Sequence, residues 1–127
     1  MHPPLIATWH DVVARRDVTG MADLIADDAV FHSPVVHTPQ RGKAMTVLYL
    51  GAAFQILAND TFRYVREVVG DRDAVLEFLV EVDGIEVNGV DMITWNDAGK
   101  IIAFKVMLRP LQAINLIHQK MGEMLQQ

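Results

Sequence analysis

The apolar period changes once along this chain, at Thr61, and that change restricts the fold more than any motif does. Before Thr61 the apolar residues recur at helical spacing; after it they alternate. Helical signals first and strand signals later read as α+β, helices followed by a curved antiparallel sheet wrapped around the long helix. No internal repeat, low-complexity tract or Gly/Ser linker intervenes, and 127 residues suit a single domain spanning 1–127.

Pro4 fits the first turn of a helix whose Ile6, Trp9, His10 and Val13 share one face, ending near Arg15-Arg16. Asp17 can cap a short second helix that turns Met21, Leu24 and Ile25 inward before Asp27-Asp28 breaks it. Ala29-Val30-Phe31 then starts a short strand ended by Pro34. Gly42 to Leu57 reads as a third helix, apolar around most of its circumference and hence buried on more than one side. Turn signals at Gly70-Asp71-Arg72-Asp73, Asp83-Gly84 and Asn96-Asp97-Ala98-Gly99 divide the rest into a four-stranded antiparallel meander. Pro110 ends it, and Leu111, Ile114, Ile117, Met121 and Met124 form the stripe of a last helix.

The meander's register isolates one residue. Residues directly opposite in an antiparallel pair point to the same side. A two-residue turn at Asp83-Gly84 pairs Val82 with Ile85, Val80 with Val87, Phe78 with Gly89 and Leu76 with Asp91. Ile93 and Trp95 continue that face, and the next hairpin adds Ile102, Phe104, Val106 and Leu108. Asp91 is the one formal charge on it, apart from Lys100 at the turn. Burial disfavours the anion, so Asp91 is expected to have a raised pKa and to serve as a neutral hydrogen-bond donor or proton carrier in an apolar pocket. The competing expectation is a structural aspartate bonded to backbone amides at a bulge near Gly89. A simple turn at Asp71-Arg72 sets Glu67 opposite Leu76, on the Asp91 side, although the charges of Arg63, Arg66 and Glu67 also fit a solvated strand.

Composition narrows the function. Eleven Lys and Arg against sixteen Asp and Glu give a net charge of −5, which leaves no basic surface for nucleic acid. The run Val47 to Phe54 is too short for a bilayer, and Met1-His2-Pro3-Pro4 lacks a signal peptide's order, so a soluble cytoplasmic protein with no membrane partner is expected. No cysteine is present, which removes disulfides, thiolate nucleophiles and thiolate metal sites. Yet 51% of the residues are hydrophobic and the mean hydropathy is +0.20, a surplus that calls for a cavity, an oligomer interface or both.

Other candidates carry less. His32 and Ser33 are neighbours on a strand and point to opposite sides, which disfavours a nucleophile and its base. His32 and His37 lack a third ligand nearby and are expected at a surface or interface, so no metal is expected. His10 could reach a pocket mouth as a base or remain half-exposed on its helix. The glycines form no phosphate-cradling loop, so no nucleotide cofactor is expected.

The stretch from Asp17 through Asp27-Asp28-Ala-Val-Phe-His-Ser-Pro34, then Gly42-Lys-Ala, and later Val90-Asp-Met-Ile-Thr-Trp-Asn-Asp-Ala-Gly-Lys-Ile, resembles the nuclear transport factor 2-like superfamily over nearly the whole chain. Within it, the chain looks closest to the SnoaL-like polyketide cyclases and ketosteroid isomerases. That resemblance implies a conical α+β barrel with an apolar pocket and a homodimer formed through the sheet. It also implies that Asp91 stands at the isomerases' protonated oxyanion-hole aspartate, Trp9 at the tyrosine sharing that hole, and Ser33 at the general-base aspartate. In those isomerases an apolar site keeps the oxyanion-hole carboxylic acid neutral, so that it can donate a hydrogen bond. A serine cannot take a proton from carbon unaided, so the isomerase mechanism lacks its base here. In the related epoxide hydrolases, an arginine and aspartate pair would fall at Lys105 and Val106, which cannot replace it.

The expected ligand is small and mainly apolar, walled by Phe31, Tyr49, Phe54, Phe78, Ile93, Trp95, Phe104 and Val106. Three functions fit. The first is a cofactor-independent isomerase, cyclase or hydratase with Asp91 as acid, Trp9 and Ser33 as hydrogen-bond partners, and His10 or Glu67 as base. The second is a non-catalytic binding module. The third is an interaction scaffold whose interior its own side chains fill.

Overall fold

The computed structural model describes residues 3–126, in the order α1 (Pro4–Arg15), α2 (Val18–Asp23), β1 (Ile25–His32), β2 (Gln40–Arg41), α3 (Lys43–Leu57), β3 (Arg63–Val69), β4 (Asp73–Val82), β5 (Ile85–Trp95), β6 (Ile101–Arg109) and α4 (Leu111–Leu125). Pro4 occupies the first turn of α1, and Arg16, left-handed at φ 54°, ends it with its N–H turned back to the carbonyls of Val12 and Val13. The Asp17 side chain accepts from the Gly20 N–H at 2.9 Å and starts α2. None of the helices among the described residues is long and apolar enough to cross a membrane.

The first departure from expectation follows α2. Ile25 is not helical: it begins β1, which runs eight residues rather than three, with Asp27 and Asp28 as exposed strand positions instead of helix breakers. β1 lies parallel to β6, a long-range pairing that no local pattern announces. The expected four-stranded meander is therefore part of a six-stranded mixed sheet of order β2-β1-β6-β5-β4-β3. The sheet curves but does not close into a barrel, so β3 is an edge strand.

α3 is buried on two sides, as its sequence demands. Leu50 and Phe54 join one apolar cluster with α1, β1, β5 and β6, while Ala52, Ala53 and Leu57 join a second with α4 and the β4–β5 hairpin. Met45 and Leu48 remain exposed at its start, so the buried surface is narrower than the apolar one. On α4 the buried stripe is Ala113, Ile117 and Met121, and Leu111 projects into solvent.

The β4–β5 ladder has the expected register throughout: Val82 faces Ile85, Val80 faces Val87, Phe78 faces Gly89 and Leu76 faces Asp91. Across β5, Gly89 faces Leu108, Asp91 faces Val106 and Ile93 faces Phe104. A bulge between Thr94 and Trp95 then brings Ile101, not Ile102, opposite Trp95, and Ile101 is the buried one. No bulge lies at Gly89. Glycine is there because a Cβ would come within 2.5 Å of the tip of the Phe78 ring, 2.7 Å of a Leu108 methyl and 2.8 Å of the Met107 carbonyl oxygen. Gly89→Ala is therefore expected to lower stability by about 1–3 kcal/mol through overpacking, read as a lower urea midpoint with an unchanged slope.

Candidate functional site

The regular ladders on either side of β5 turn Asp91 into the interior, where it is 7% exposed. Around it stand Phe78 from β4, Phe104 and Val106 from β6, Leu50 and Phe54 from α3, and Trp9 from α1, none of which carries a charge. Trp9 arrives through the helical spacing of Ile6, Trp9 and Val13, and its indole packs against the Phe104 ring at 5.1 Å and edge-on to Phe54 at 6.3 Å.

The polar partner of Asp91 is a side chain that sequence reasoning missed. The Tyr64 hydroxyl donates to Asp91 Oδ2 at 2.6 Å, and its oxygen accepts from Trp9 Nε1–H at 2.9 Å. The three side chains thus form one hydrogen-bonded chain inside an apolar shell. Among the described residues Asp91 takes its hydrogen bond from Tyr64 and none from a backbone amide, which removes the structural alternative in the form expected.

Tyr64 faces inward because of a bulge. From Glu67, opposite Leu76, strict alternation would turn Val65 inward and Tyr64 outward. The register shifts between Tyr64 and Arg66, so Tyr64 pairs with Phe78 on the inner face while Val65 and Arg66 are both exposed. A signal for it existed. Arg63 and Glu67 have the same parity and Arg66 the opposite, so no unbroken strand exposes both arginines while turning Glu67 inward.

Burial pushes the Asp91 carboxyl up to about 7, against a smaller opposing effect of the Tyr64 hydrogen bond. Near neutral pH it is divided between acid and anion. Burial, with Asp91 beside it, holds the Tyr64 phenol well above its usual range, so Tyr64 stays neutral. Such a chain can hold a proton at Asp91, donate it to an acceptor, or orient a ligand oxygen.

The space beside Asp91 is small, about 40 Å³. That is room for a few waters, against roughly 300–1,000 Å³ for ordinary ligand pockets. Of the expected wall, Phe54, Phe78, Phe104 and Val106 line it, joined by Trp9, Leu50, Leu57, Phe62 and Tyr64. Ile93 and Trp95 share the face of Asp91 but pack farther along β5, in one cluster with Ile6 and Met21, and do not reach the cavity. Phe31 and Tyr49 face each other at 6.5 Å, away from it, with Phe31 also against Phe104.

Ser33 is not brought to Asp91. Its hydroxyl accepts from the Val35 N–H at 3.1 Å where the chain leaves β1, and Ala53, Leu57 and Val106 stand between it and the Asp91 cavity, lining the spaces on both sides. His32, beside it, faces Lys105, and burial together with Lys105 and Arg41 lowers its pKa. Among the described residues, no group of three or more His, Cys, Asp or Glu could hold a metal ion.

His10 Nε2 and a Glu67 carboxyl oxygen are in contact across the gap between α1 and β3. They line an outer groove of about 930 Å³ with Ala14, Arg63 and Arg66, and the His10 ring meets Tyr64 edge-on at 5.2 Å. Tyr64, Val13 and Phe62 line both this groove and the Asp91 cavity, so the candidate bases lie on the far side of the Tyr64 ring from the acid.

Residues 6–104 match the family of SnoaL-like domains. A steroid delta-isomerase from Pseudomonas aeruginosa is 36% identical, with a TM-score of 0.87 over 94% of this chain and 87% of that one. A protein with a cystatin-like fold from Silicibacter pomeroyi DSS-3 is 32% identical, with the same score over 97% and 85%. A hypothetical protein with a ketosteroid isomerase-like fold from Catenulispora acidiphila DSM 44928, in complex with trimethylamine, shares the fold at 10% identity and a TM-score of 0.66, over 90% of this chain and 91% of that one. No curated protein matches the chain. With its α+β architecture, its sheet order and a match over most of its length, the chain belongs to the SnoaL-like family of the nuclear transport factor 2-like superfamily.

Proposed function

We propose that this protein binds a small, mainly apolar molecule by one oxygen atom, held at the Asp91 carboxyl and the Trp9 indole N–H. The observation that carries this reading is the Trp9–Tyr64–Asp91 chain, a buried acid with a single hydrogen-bond partner among the described residues, set in an apolar shell. A neutral Asp91 donates to a carbonyl oxygen, and Trp9 supplies a second donor; both are strengthened by the low local dielectric. Binding is favoured over turnover because Ser33 lies beyond Val106, and His10 and Glu67 lie beyond Tyr64.

A second reading is a cofactor-independent isomerase with Asp91 as its acid. Its support is the 36% identity to a steroid delta-isomerase. On this reading the His10–Glu67 pair supplies the base once the Tyr64 ring no longer separates it from the cavity.

The outer sheet face has its own part in the proposal. Leu79, Val90, Met92, Ala103 and Met107 lie there, with Met107 50% exposed, and a second copy of the chain is the proposed cover. Light scattering is expected to give the mass of a dimer, and Met107→Glu to shift it toward the monomer.

Binding of cyclohex-2-enone, followed at the Trp9 indole N–H resonance, tests the first reading. Affinity should fall as pH rises through about 7, because only the acid form of Asp91 donates to a carbonyl. Asp91→Asn, whose amide donates at every pH, should bind without that dependence. Loss of ketone turnover in Asp91→Asn with binding retained would instead select the isomerase.

Stability gives an independent check. The folded pKa of Asp91 lies above its unfolded value of 3.8, so its contribution is fully present below about pH 4 and is lost as pH rises toward 7. Tyr64 is the titratable group in contact with it, and it remains neutral over this range. Relative to the wild type, Asp91→Asn should therefore gain on the order of 3 kcal/mol between pH 4 and pH 8 in urea unfolding. Parallel pH profiles for the two proteins would show that the carboxyl is not desolvated.

A further inference from the structure

We propose that the Tyr64 phenol is a built-in stand-in for the ligand, and that binding requires its ring to swing out into the groove between α1 and β3. The proposal rests on the binding reading above and adds to it the shape of the ligand and its way in. Trp9 Nε1 at 2.9 Å and Asp91 Oδ2 at 2.6 Å converge on one oxygen, that of Tyr64, and each has no other hydrogen-bond partner among the described residues. An oxygen gripped from two sides in an apolar shell is the arrangement proposed for a bound ligand, and here the protein's own side chain provides it.

The volumes point the same way. The 40 Å³ beside Asp91 admits no organic ring, so any such ligand has to displace a side chain. Tyr64, Phe62 and Val13 are the residues with the interior cavity on one side and the groove on the other. Val13 is fixed on a helix, and Phe62 is stacked on Phe78 at 5.0 Å with an interplanar angle of 26°. Tyr64 sits on an edge strand at a register shift, so its backbone is held by one neighbouring strand only. Its aromatic contacts with His10, Phe62 and Phe78 are all edge-to-face, at 5.2, 5.1 and 6.4 Å. The 930 Å³ groove has room for the ring, and a ring entering in its place meets the same aromatic edges.

The matching ligand is a flat six-membered ring carrying one oxygen: a phenol, which like Tyr64 donates to Asp91 and accepts from Trp9, or a cyclic enone, which accepts from Trp9 and from the acid form of Asp91. Specificity then resides in Tyr64: molecules that cannot take both hydrogen bonds do not repay its displacement.

The test uses 4-methylphenol, the tyrosine side chain as a free molecule, titrated into the full chain with the Trp9 indole N–H resonance as readout, assigned by its loss in Trp9→Phe. Tyr64→Ala is expected to bind it at least about tenfold more tightly than the wild type, because the competing internal oxygen is gone and the open state no longer has to be populated first. Tyr64→Phe keeps the ring but not the hydroxyl, and should also bind more tightly than the wild type; it serves if Tyr64→Ala does not fold. If the wild type binds with a Trp9 shift and both folded variants bind no more tightly, Tyr64 is a fixed member of the network and the proposal falls while the binding reading stands. If no protein shows a Trp9 shift at millimolar 4-methylphenol, with Tyr64→Phe folded, the binding reading falls and takes the proposal with it.

Discussion

The parity of β5 governs the interior. Its ladders to β4 and β6 are regular from Asn88 to Thr94, so the inward set Gly89, Asp91 and Ile93 is locked to Phe78, Leu76 and Ala74 on one side and to Leu108, Val106 and Phe104 on the other. A one-residue slip would send Asp91 to the outer face and bring Val90 and Met92 inward. The apolar neighbours on both strands hold the register, and the register in turn forces a carboxyl into a place that water would otherwise contest. Everything distinctive about the interior follows from accommodating that group.

The accommodation uses neutral partners. A lysine or arginine beside Asp91 would have kept it an anion; the phenol of Tyr64 gives one hydrogen bond, and burial acts more strongly in the opposite direction. The carboxyl is thereby held where a small change of surroundings changes its charge. His10 and Glu67 show a contrasting arrangement farther out, an imidazole and a carboxyl in contact across the groove between α1 and β3. A polar rim and an apolar interior are thus separated by one aromatic ring.

Much of this was legible from residue order alone. Alternation from the Asp83-Gly84 turn located Asp91, and helical spacing from Pro4 located Trp9. What escaped was tied to broken periodicity or to distant pairing. Tyr64 is inward because β3 shifts by one residue after it, and Ile101 replaces Ile102 for the same reason at the end of β5. β1 is longer than its propensities suggest because it pairs in parallel with β6, much later in the chain. Ile93 and Trp95 lie on the expected face, but a face does not say how far along the strand a cavity extends. Ser33 fails for a nearer reason: its hydroxyl is used in the turn after β1.

Gly89 carries a consequence beyond its own strand. The space that a side chain would fill there is taken by Phe78 from β4 and Leu108 from β6, so three positions on three strands share a single volume. They are free to change only as a set: a larger residue at 89 calls for smaller ones at both 78 and 108 and for a shift of the Met107 carbonyl. Phe78 also supports Phe62 by stacking and meets the edge of the Tyr64 ring. Among relatives of this chain, then, loss of the glycine should travel with a change at Phe78, and with it a different wall around the buried acid, so that one backbone position outside the hydrogen-bonded chain sets which ring shapes the interior can hold.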